Sequence, residues 1–212
     1  MRIVSVNVGM PREVTVPNGR VLTSIFKSPV EGRVAVRGHN LDGDRQADLT
    51  VHGGPNKAVY LYPAEHYAYW AAQLPDMELP FGVFGENLTS EGVHEASAHI
   101  GDQFRIGSAV LQVTQPRMPC YKLALRFGRA DMVKRFWASG RPGIYFSVVE
   151  EGDLARGDAM EQVAADPEQV SVADILRLYK GEDTGKDLFW RALRSPLSGS
   201  WKEEIRSRLA EL

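Results

Sequence analysis

Cys120 is the only cysteine among the 212 residues, and its neighbours favour a chemical role for its thiol. Pro116 and Pro119 restrict the backbone that leads to it. Arg117 and Lys122 place positive charge on either side, and nearby cations stabilise the thiolate that attacks electrophiles and binds metals. The pattern predicts a nucleophile or a soft-metal ligand. The alternative is an unreactive packed thiol, which is the usual state of an unpaired cysteine.

Positive charge is concentrated around this cysteine. The segment 117–141 contains a single acid, Asp131, although the whole chain carries a net charge of −2. Its basic residues are Arg117, Lys122, Arg126, Arg129, Lys134, Arg135 and Arg141. We therefore expect a local basic surface beside Cys120, where an anionic ligand would be favoured.

Two glycine-containing loops are further candidates for binding. Gly53 and Gly54 separate His52 from Lys57, and paired glycines allow backbone N–H groups to converge on an anion. The alternative is an ordinary glycine turn between strands. Asn87 lies in the second loop, where its side chain either contacts a ligand or caps a turn.

A cysteine–histidine hydrolase is a second chemical interpretation. Cys120 and His52 could form a nucleophile–base pair. The sequence around Cys120 does not match the local signatures of papain-like enzymes or of nucleophile elbows. The residues alone thus leave the chemistry of the thiol open.

Short alternating segments predict that residues 1–165 are mainly β-structure. Asn18-Gly19 is a strong signal for a tight hairpin turn, and a second hairpin is predicted between 103–106 and 109–114. Many short strands of this kind favour an antiparallel barrel or sandwich.

Two helices are predicted to interrupt the strands. The first has Pro63 in its first turn and continues to Leu74, and the second spans residues 130–139 and ends at Gly140.

Three short amphipathic helices are predicted after residue 166, so the chain divides into a β-domain, 1–165, and a small helical domain, 166–212. The predicted helix starts are Ser171, Thr184 and Ser200, each in a capping-box-like sequence. Helices this short must bury their apolar faces against one another, the β-domain or a second subunit, which makes a homodimer one expectation.

Charge and composition exclude some functions. The segment 167–212 has eight acidic and eight basic residues, so it lacks the positive charge of a DNA-binding module, and we expect no nucleic-acid partner. No apolar segment approaches the ~20 residues of a membrane span. A single cysteine permits no intramolecular disulfide, and no secretory signal is recognised, so a cytoplasmic protein is expected.

Three segments, in this order, resemble the MOSC family, the molybdenum-cofactor sulfurase C-terminal domain. They are DGDRQADLTVHGGPNKAVYLYP from residue 42, FGENL from residue 84, and IGDQFRIGSAVLQVTQPRMPCYK from residue 100. The predicted C-terminal helices resemble the three-helix appendage of the YiiM-like branch. The resemblance implies an antiparallel β-barrel with inserted helices and a pterin-dithiolene molybdenum cofactor.

The resemblance also implies the residues of the site. The single cysteine of the family is the protein ligand to molybdenum, and this role falls on Cys120. The cofactor-contacting motifs of the family fall on Lys27, His52, Gly53, Gly54, Asn87, Arg117 and Lys122. A thiolate suits a soft metal, and basic side chains suit a phosphate-bearing cofactor.

YiiM-like proteins are reductases of N-hydroxylated purines and related compounds, so the resemblance implies a molybdenum-dependent oxidoreductase with a small-molecule substrate. The chain has no G-x-G-x-x-G flavin or nicotinamide fingerprint, so electrons are expected from a separate reductase, with a flavoprotein as the expected class. The alternative is a sulfur-carrier or cofactor-handling protein that uses Cys120 as a persulfide.

Overall fold

The structure, a computed structural model, describes residues 1–17, 19–47 and 53–212. Its strands are β1 (Arg2–Val8), β2 (Arg12–Val16), β3 (Gly19–Thr23), β4 (Ser28–Pro29), β5 (Arg33–Arg37), β6 (Asn40–Leu41), β7 (Val59–Pro63), β8 (Leu88–Glu91), β9 (Gln103–Ile106), β10 (Ala109–Pro116), β11 (Ile144–Glu150), β12 (Gly152–Ala155) and β13 (Met160–Ala164). Its α-helices are α1 (Glu65–Gln73), α2 (Tyr121–Phe127), α3 (Met132–Ala138), α4 (Val172–Lys180), α5 (Lys186–Arg194) and α6 (Gly199–Ala210).

Eight strands form one large mixed sheet in the order β13-β9-β10-β11-β7-β8-β1-β4. Most neighbours are antiparallel, but β7 and β8 are parallel, because α1 carries the chain back between them. The expected mainly-β fold with inserted helices is confirmed, but the large sheet is mixed and not antiparallel throughout.

The large sheet is not closed. Within the described residues its edge strands, β13 and β4, do not pair with each other. The segment that leads into β13 approaches β1 through an isolated bridge between Arg2 and Ala159, and the Met160 N–H donates to Met1 O at 3.0 Å, but no ladder continues along the two strands. A barrel is therefore not confirmed, because closure requires a continuous ladder around the whole sheet.

Both predicted hairpins are present, with shifted ends. β2 pairs with β3 in a separate two-stranded sheet, and β9 pairs with β10 in the large sheet. Asn18 of the predicted turn lies outside the described residues. The helix predicted from Pro63 begins instead at Glu65, because Pro63 is the last residue of β7 and pairs with Ser90.

The C-terminal helices share their apolar core with the large sheet. Side chains from α4, α5 and α6 lie in the same buried cluster as Leu61, Phe104 and Phe146 of the sheet. Among the helical members are Ile175, Phe189, Trp201 and Ile205. Burial of these faces offsets the weak intrinsic stability of such short helices.

A second buried cluster is strongly aromatic and packs α1, α2 and α3 against β7. Its larger members are Tyr60, Tyr62, Trp70, Phe84, Phe127 and Phe136. Trp70 stacks on Phe136 with ring centroids 5.9 Å apart, and its indole N–H donates to Tyr62 Oη at 2.7 Å. This cluster fixes the helices that follow Cys120.

No helix in the described part of the chain is long and apolar enough to cross a membrane.

Only one of the three predicted capping boxes is present. Ser171 Oγ accepts from the backbone N–H of Asp174 at 3.0 Å, and Asp174 Oδ2 accepts from the Ser171 N–H at 3.1 Å. The predicted caps at Thr184 and Ser200 are wrong. The actual N-caps, Gly185 and Ser198, make no side-chain capping bond.

The capping box predicts an asymmetric response to two similar substitutions. Ser171→Ala removes an acceptor for the first turn of α4 and should lower the free energy of unfolding by about 1 kcal/mol. Thr184→Ala should leave it nearly unchanged, because Thr184 does not cap α5. Urea denaturation of both variants measures this difference, and equal losses would contradict it.

Candidate functional site

A surface cleft brings together most of the predicted site residues. It lies where the end of β3, the loop after β6, the start of β7, the loop before β8 and the start of α2 meet. Six predicted residues line it, namely Lys27, Gly53, Asn87, Arg117, Cys120 and Lys122. Gly54 adjoins the cleft with φ +85° but does not line it, and His52 lies outside the described residues.

Cys120 is held at the junction of a strand and a helix. It is the N-cap of α2, with an extended backbone (φ −121°, ψ 171°), and its carbonyl accepts from Leu123 N–H at 2.9 Å. Its side chain makes no capping bond, so the half-buried thiol remains available to the cleft. Sequence analysis did not predict α2, although this helix fixes the position of the thiol.

Arg117 is a buried cation that is oriented by a backbone carbonyl and an aromatic ring. Its Nη1 donates to Phe84 O, and its guanidinium lies 4.7 Å above the ring of Tyr60. The Tyr60 hydroxyl is itself fixed by donating to Pro142 O at 2.8 Å. No carboxylate among the described residues forms an ion pair with Arg117, so its charge favours an anion in the cleft.

Lys27 is paired with a carboxylate that sequence analysis did not place in the site. Its ammonium donates to Asp44 Oδ1, and both side chains are at least nine-tenths buried. Burial lowers the pKa of Lys27, although Asp44 opposes that shift. Asp44 also accepts from Gly9 N–H at 2.8 Å and from Asn87 Nδ2 at 2.9 Å.

Asn87 uses its amide within the protein. Its Oδ1 accepts from Tyr60 N–H at 3.1 Å, while its Nδ2 donates to Asp44. Asn87 therefore connects β7 to the Lys27–Asp44 pair as well as lining the cleft.

Lys27 reaches this position because two glycines allow its backbone to come close. A Cβ on Gly9 would lie 2.7 Å from Phe26 O, and a Cβ on Gly82 would lie 2.9 Å from Lys27 O. Gly82 also has φ +87°, which side-chain-bearing residues rarely adopt.

Glu86 organises the loop that holds Arg117, and sequence analysis also missed this residue. Its buried carboxylate accepts from the Tyr67 hydroxyl, from Gly82 N–H at 2.7 Å and from Phe84 N–H at 3.1 Å. Burial raises the pKa of Glu86. The sequence signal for Glu86 was a single charged residue in a short glycine-containing loop between Phe84 and Leu88.

Two more lysines contribute to the cationic lining. The Lys122 side chain is largely buried and has no hydrogen bond or ion pair among the described residues. Lys57 is half-buried, and burial lowers its pKa. Lys57 ends a short 3-10 turn, Pro55–Lys57, which is anchored where Thr114 Oγ1 donates to Asn56 O at 2.7 Å.

The donor set of the cleft fits an anionic, thiolate-bound group. Among the described lining residues, four cations face a single carboxylate, that of Asp44. Ser24 Oγ and Gln46 Oε1 also line the cleft and are buried without a partner in the described part of the chain. The described residues contain no cluster of three His, Cys, Asp or Glu ligands.

Comparison with known proteins assigns the fold to a family. Residues 48–161, just over half of the chain, match the MOSC domain. This chain belongs to the MOSC family.

MOSC relatives match along nearly the whole chain. The uncharacterized protein YflK of Bacillus subtilis is 40% identical, covering 97% of this chain and 93% of YflK. Protein YiiM of Escherichia coli K12 is 35% identical, covering 91% of this chain and 86% of YiiM. A Gibberella moniliformis protein named Reductase is 29% identical over 90% of this chain, which spans only 34% of that protein.

A solved structure supports the YiiM-like branch of the MOSC family. The crystal structure of YiiM from Geobacillus stearothermophilus superposes with a TM-score of 0.80 at 34% identity. The match covers 98% of both chains. The similarity therefore includes the C-terminal helices as well as the sheet.

Glu86 predicts a pH dependence of stability in this MOSC fold. Burial raises the pKa of Glu86 in the folded protein above the ordinary value of 4.5. The stability that the protonated Glu86 side chain provides is therefore fully present below pH 4.5. The contribution is lost as the pH rises through the folded pKa, by about 1.4 kcal/mol for each unit of difference. Glu86→Gln cannot titrate and should not show this loss.

Urea denaturation at a series of pH values from about 4 to about 8 measures this effect. The free energy of unfolding of the parent protein, relative to Glu86→Gln, should fall as the pH increases. Glu78→Gln is the matched control, because it removes an exposed carboxylate near the same loop. If the difference in free energy of unfolding between the parent protein and Glu86→Gln did not change with pH, the prediction would be wrong.

Proposed function

We propose that this MOSC protein is a molybdenum-cofactor-dependent reductase of N-hydroxylated compounds, with Cys120 as the protein ligand to the metal. The observation that carries the proposal is the thiol of Cys120 in a cleft whose described lining residues include four cations and one carboxylate. Membership of the MOSC family and similarity to YiiM support the cofactor. The fungal relative named Reductase supports the reaction class.

The residues of the cleft have distinct proposed roles. Cys120 supplies a soft sulfur ligand. Arg117, Lys57 and Lys122 hold the anionic groups of the cofactor by charge-assisted hydrogen bonds. The buried Lys27–Asp44 pair and Asn87 keep the walls of the cleft in position.

The proposed reaction requires a source of electrons and protons. Reduction of R–NH–OH to R–NH₂ consumes two electrons and two protons, breaks the N–O bond and releases water. A bound molybdenum cofactor supplies the two-electron redox chemistry. We propose that the electrons come from a separate flavoprotein reductase.

Replacing the thiol tests the proposal directly. The protein is purified from a host that makes the cofactor, and reduction of 6-hydroxylaminopurine is measured with a reduced viologen as electron donor. Cys120→Ser should abolish turnover while leaving circular dichroism unchanged, because a hydroxyl is a poor ligand for a soft metal. Full turnover in this variant would overturn the proposal.

The sulfur-carrier alternative predicts a different result in the same samples. The parent protein would then lack turnover and carry a persulfide on Cys120, which mass spectrometry detects.

Cofactor retention provides a second prediction. Lys122→Met keeps the aliphatic stem but removes the charge, and should weaken cofactor retention roughly tenfold or more. Lys134→Met is the matched control, since Lys134 is exposed on α3 and does not line the cleft. Molybdenum and pterin content after dialysis measures retention. Equal content in both variants would show that the anion site is elsewhere.

A further inference from the structure

A buried histidine–glutamate pair lies outside the cleft that contains Cys120. His66 is on α1, Glu95 is in the loop between β8 and β9, and both side chains are buried. The two carboxylate oxygens of Glu95 lie 2.8 Å and 3.1 Å from His66 Nε2. Burying two ionisable groups costs desolvation energy, so the other contacts of the pair indicate what it contributes to the protein.

Glu95 is the hydrogen-bond acceptor of this pair. Burial opposes ionisation of Glu95, but its interactions with His66 and with two backbone N–H groups outweigh burial, so the pKa of Glu95 lies below its ordinary value. An ionised carboxylate has no proton to donate, so His66 Nε2 must carry the proton and donate it. The His66 ring is itself in edge-to-face contact with the Tyr62 ring, with centroids 5.3 Å apart. These contacts fix the orientation of the Glu95 carboxylate.

Glu95 holds a turn that packs directly on Tyr60. Its Oε1 accepts from the Gly143 N–H at 2.8 Å. Gly143 lies so close to Tyr60 that an added Cβ would be 2.7 Å from Tyr60 Cε2 and 2.8 Å from its Oη. The carbonyl of the preceding residue, Pro142, accepts from the Tyr60 hydroxyl at 2.8 Å. The turn is therefore hydrogen-bonded to Glu95 through Gly143 and to Tyr60 through Pro142.

Tyr60 connects this turn to the cation of the cleft. Burial raises the pKa of Tyr60, which keeps its hydroxyl protonated as the donor to Pro142 O. The Arg117 guanidinium lies 4.7 Å from the centroid of the Tyr60 ring. Both Tyr60 and Arg117 line the cleft, whereas His66 and Glu95 do not. A continuous series of contacts thus leads from the buried pair to the cation.

We propose that His66 and Glu95 are positioning residues for the anion site of the cleft. Glu95 holds the Gly143 turn against Tyr60, and the Tyr60 ring holds the guanidinium of Arg117 toward the cleft. His66 fixes the orientation of Glu95, and neither residue of the pair touches the anion. This inference rests on the part of the proposed function that assigns Arg117 to anion binding, and not on the reaction.

Phosphate binding tests this inference without requiring turnover. Inorganic phosphate is the probe, and its affinity is measured by isothermal titration calorimetry on protein made in a host that lacks the cofactor. Glu95→Ala should weaken phosphate binding roughly tenfold, because the Gly143 N–H loses its acceptor and the Tyr60 ring loses its support. Glu95→Gln keeps an oxygen acceptor on a side chain of the same length, and should bind phosphate within about twofold of the parent protein.

Glu65 provides a closely matched control. It also lies beside a histidine, with its Oε1 3.7 Å from His94 Nε2, and it also accepts from a glycine N–H, that of Gly92, at 2.8 Å. A Cβ on Gly92 would contact Met1 rather than Tyr60. Glu65→Ala should therefore bind phosphate as the parent protein does. An equal loss of affinity in Glu65→Ala and Glu95→Ala would overturn the inference.

A double-mutant cycle separates positioning of Arg117 from general damage to the protein. Lys57 and Lys122 still line the cleft in Arg117→Met, so this variant should retain weaker phosphate binding. If Glu95 acts through Arg117, Glu95→Ala should cost affinity in the parent protein but little further affinity in Arg117→Met. The same loss in both backgrounds would overturn the inference.

Nuclear magnetic resonance supplies a spectroscopic readout of the guanidinium itself. The Arg117 Nε–H resonance is assigned in ¹⁵N–¹H spectra by its absence from Arg117→Met. It should shift in Glu95→Ala and keep its parent position in Glu95→Gln and Glu65→Ala. A resonance that does not move in Glu95→Ala would overturn the inference.

Tyr60→Phe is a second variant that leaves the His66–Glu95 pair intact. It removes only the hydroxyl that donates to Pro142 O, and it should weaken phosphate binding several-fold. Because this change is small, it decides the question if Glu95→Ala does not fold. Unchanged phosphate affinity in either folded variant would overturn the inference.

The outcomes distinguish this inference from the proposed function. Phosphate affinity that depends on Glu95, in a protein without reductase activity, would support the inference and overturn the function. Reductase activity together with phosphate affinity that is insensitive to Glu95→Ala would leave the function standing and overturn the inference. Failure of the parent protein to bind phosphate would also overturn the inference.

Discussion

The carboxylate of Asp44 connects the segments that form the cleft. It accepts hydrogen bonds from the Lys27 ammonium, the Gly9 N–H and the Asn87 amide, which belong to three separate parts of the chain. Both members of the Lys27–Asp44 pair are desolvated, so loss of one would leave an uncompensated buried charge, at a cost of about 3–5 kcal/mol. This pair therefore fixes Lys27, Gly9 and Asn87 relative to one another.

Among the described residues, neither carboxylate near the cleft forms an ion pair with Arg117. Asp44 forms an ion pair with Lys27. The Glu86 carboxylate accepts hydrogen bonds from the Tyr67 hydroxyl and from backbone N–H groups of its own loop. Arg117 therefore depends on the Tyr60 ring and on Phe84 O for its orientation. An arrangement that orients a buried cation without pairing it favours binding of an anion, and this links the architecture of the site to the proposed cofactor.

The two buried clusters fix the segments on either side of Cys120. The aromatic cluster around Trp70 and Phe136 supports α2 and α3, which follow the thiol. The larger cluster joins the sheet to α4, α5 and α6, so the C-terminal helices are fixed relative to β10, which leads to the thiol. The groove lined by Met118, Tyr179 and Trp201 lies where these two parts meet.

Local sequence determined the features that depend on short-range chemistry. The thiol of Cys120, its basic neighbours, the two hairpins and the capping box at Ser171 follow from residue type and spacing over a few positions. The family resemblance added the order of the binding motifs, and six of the eight named residues line one cleft.

Tertiary structure alone decided the features that depend on distant partners. The pairing of Lys27 with Asp44, the hydrogen bonds to Glu86 and the open mixed sheet join residues far apart in sequence. Short-range patterns carry no information about such contacts, because burial and partner choice are set by how strands and helices assemble. The groove between Met118 and Tyr179 exists only because α4 and α6 pack beside the cysteine-bearing segment.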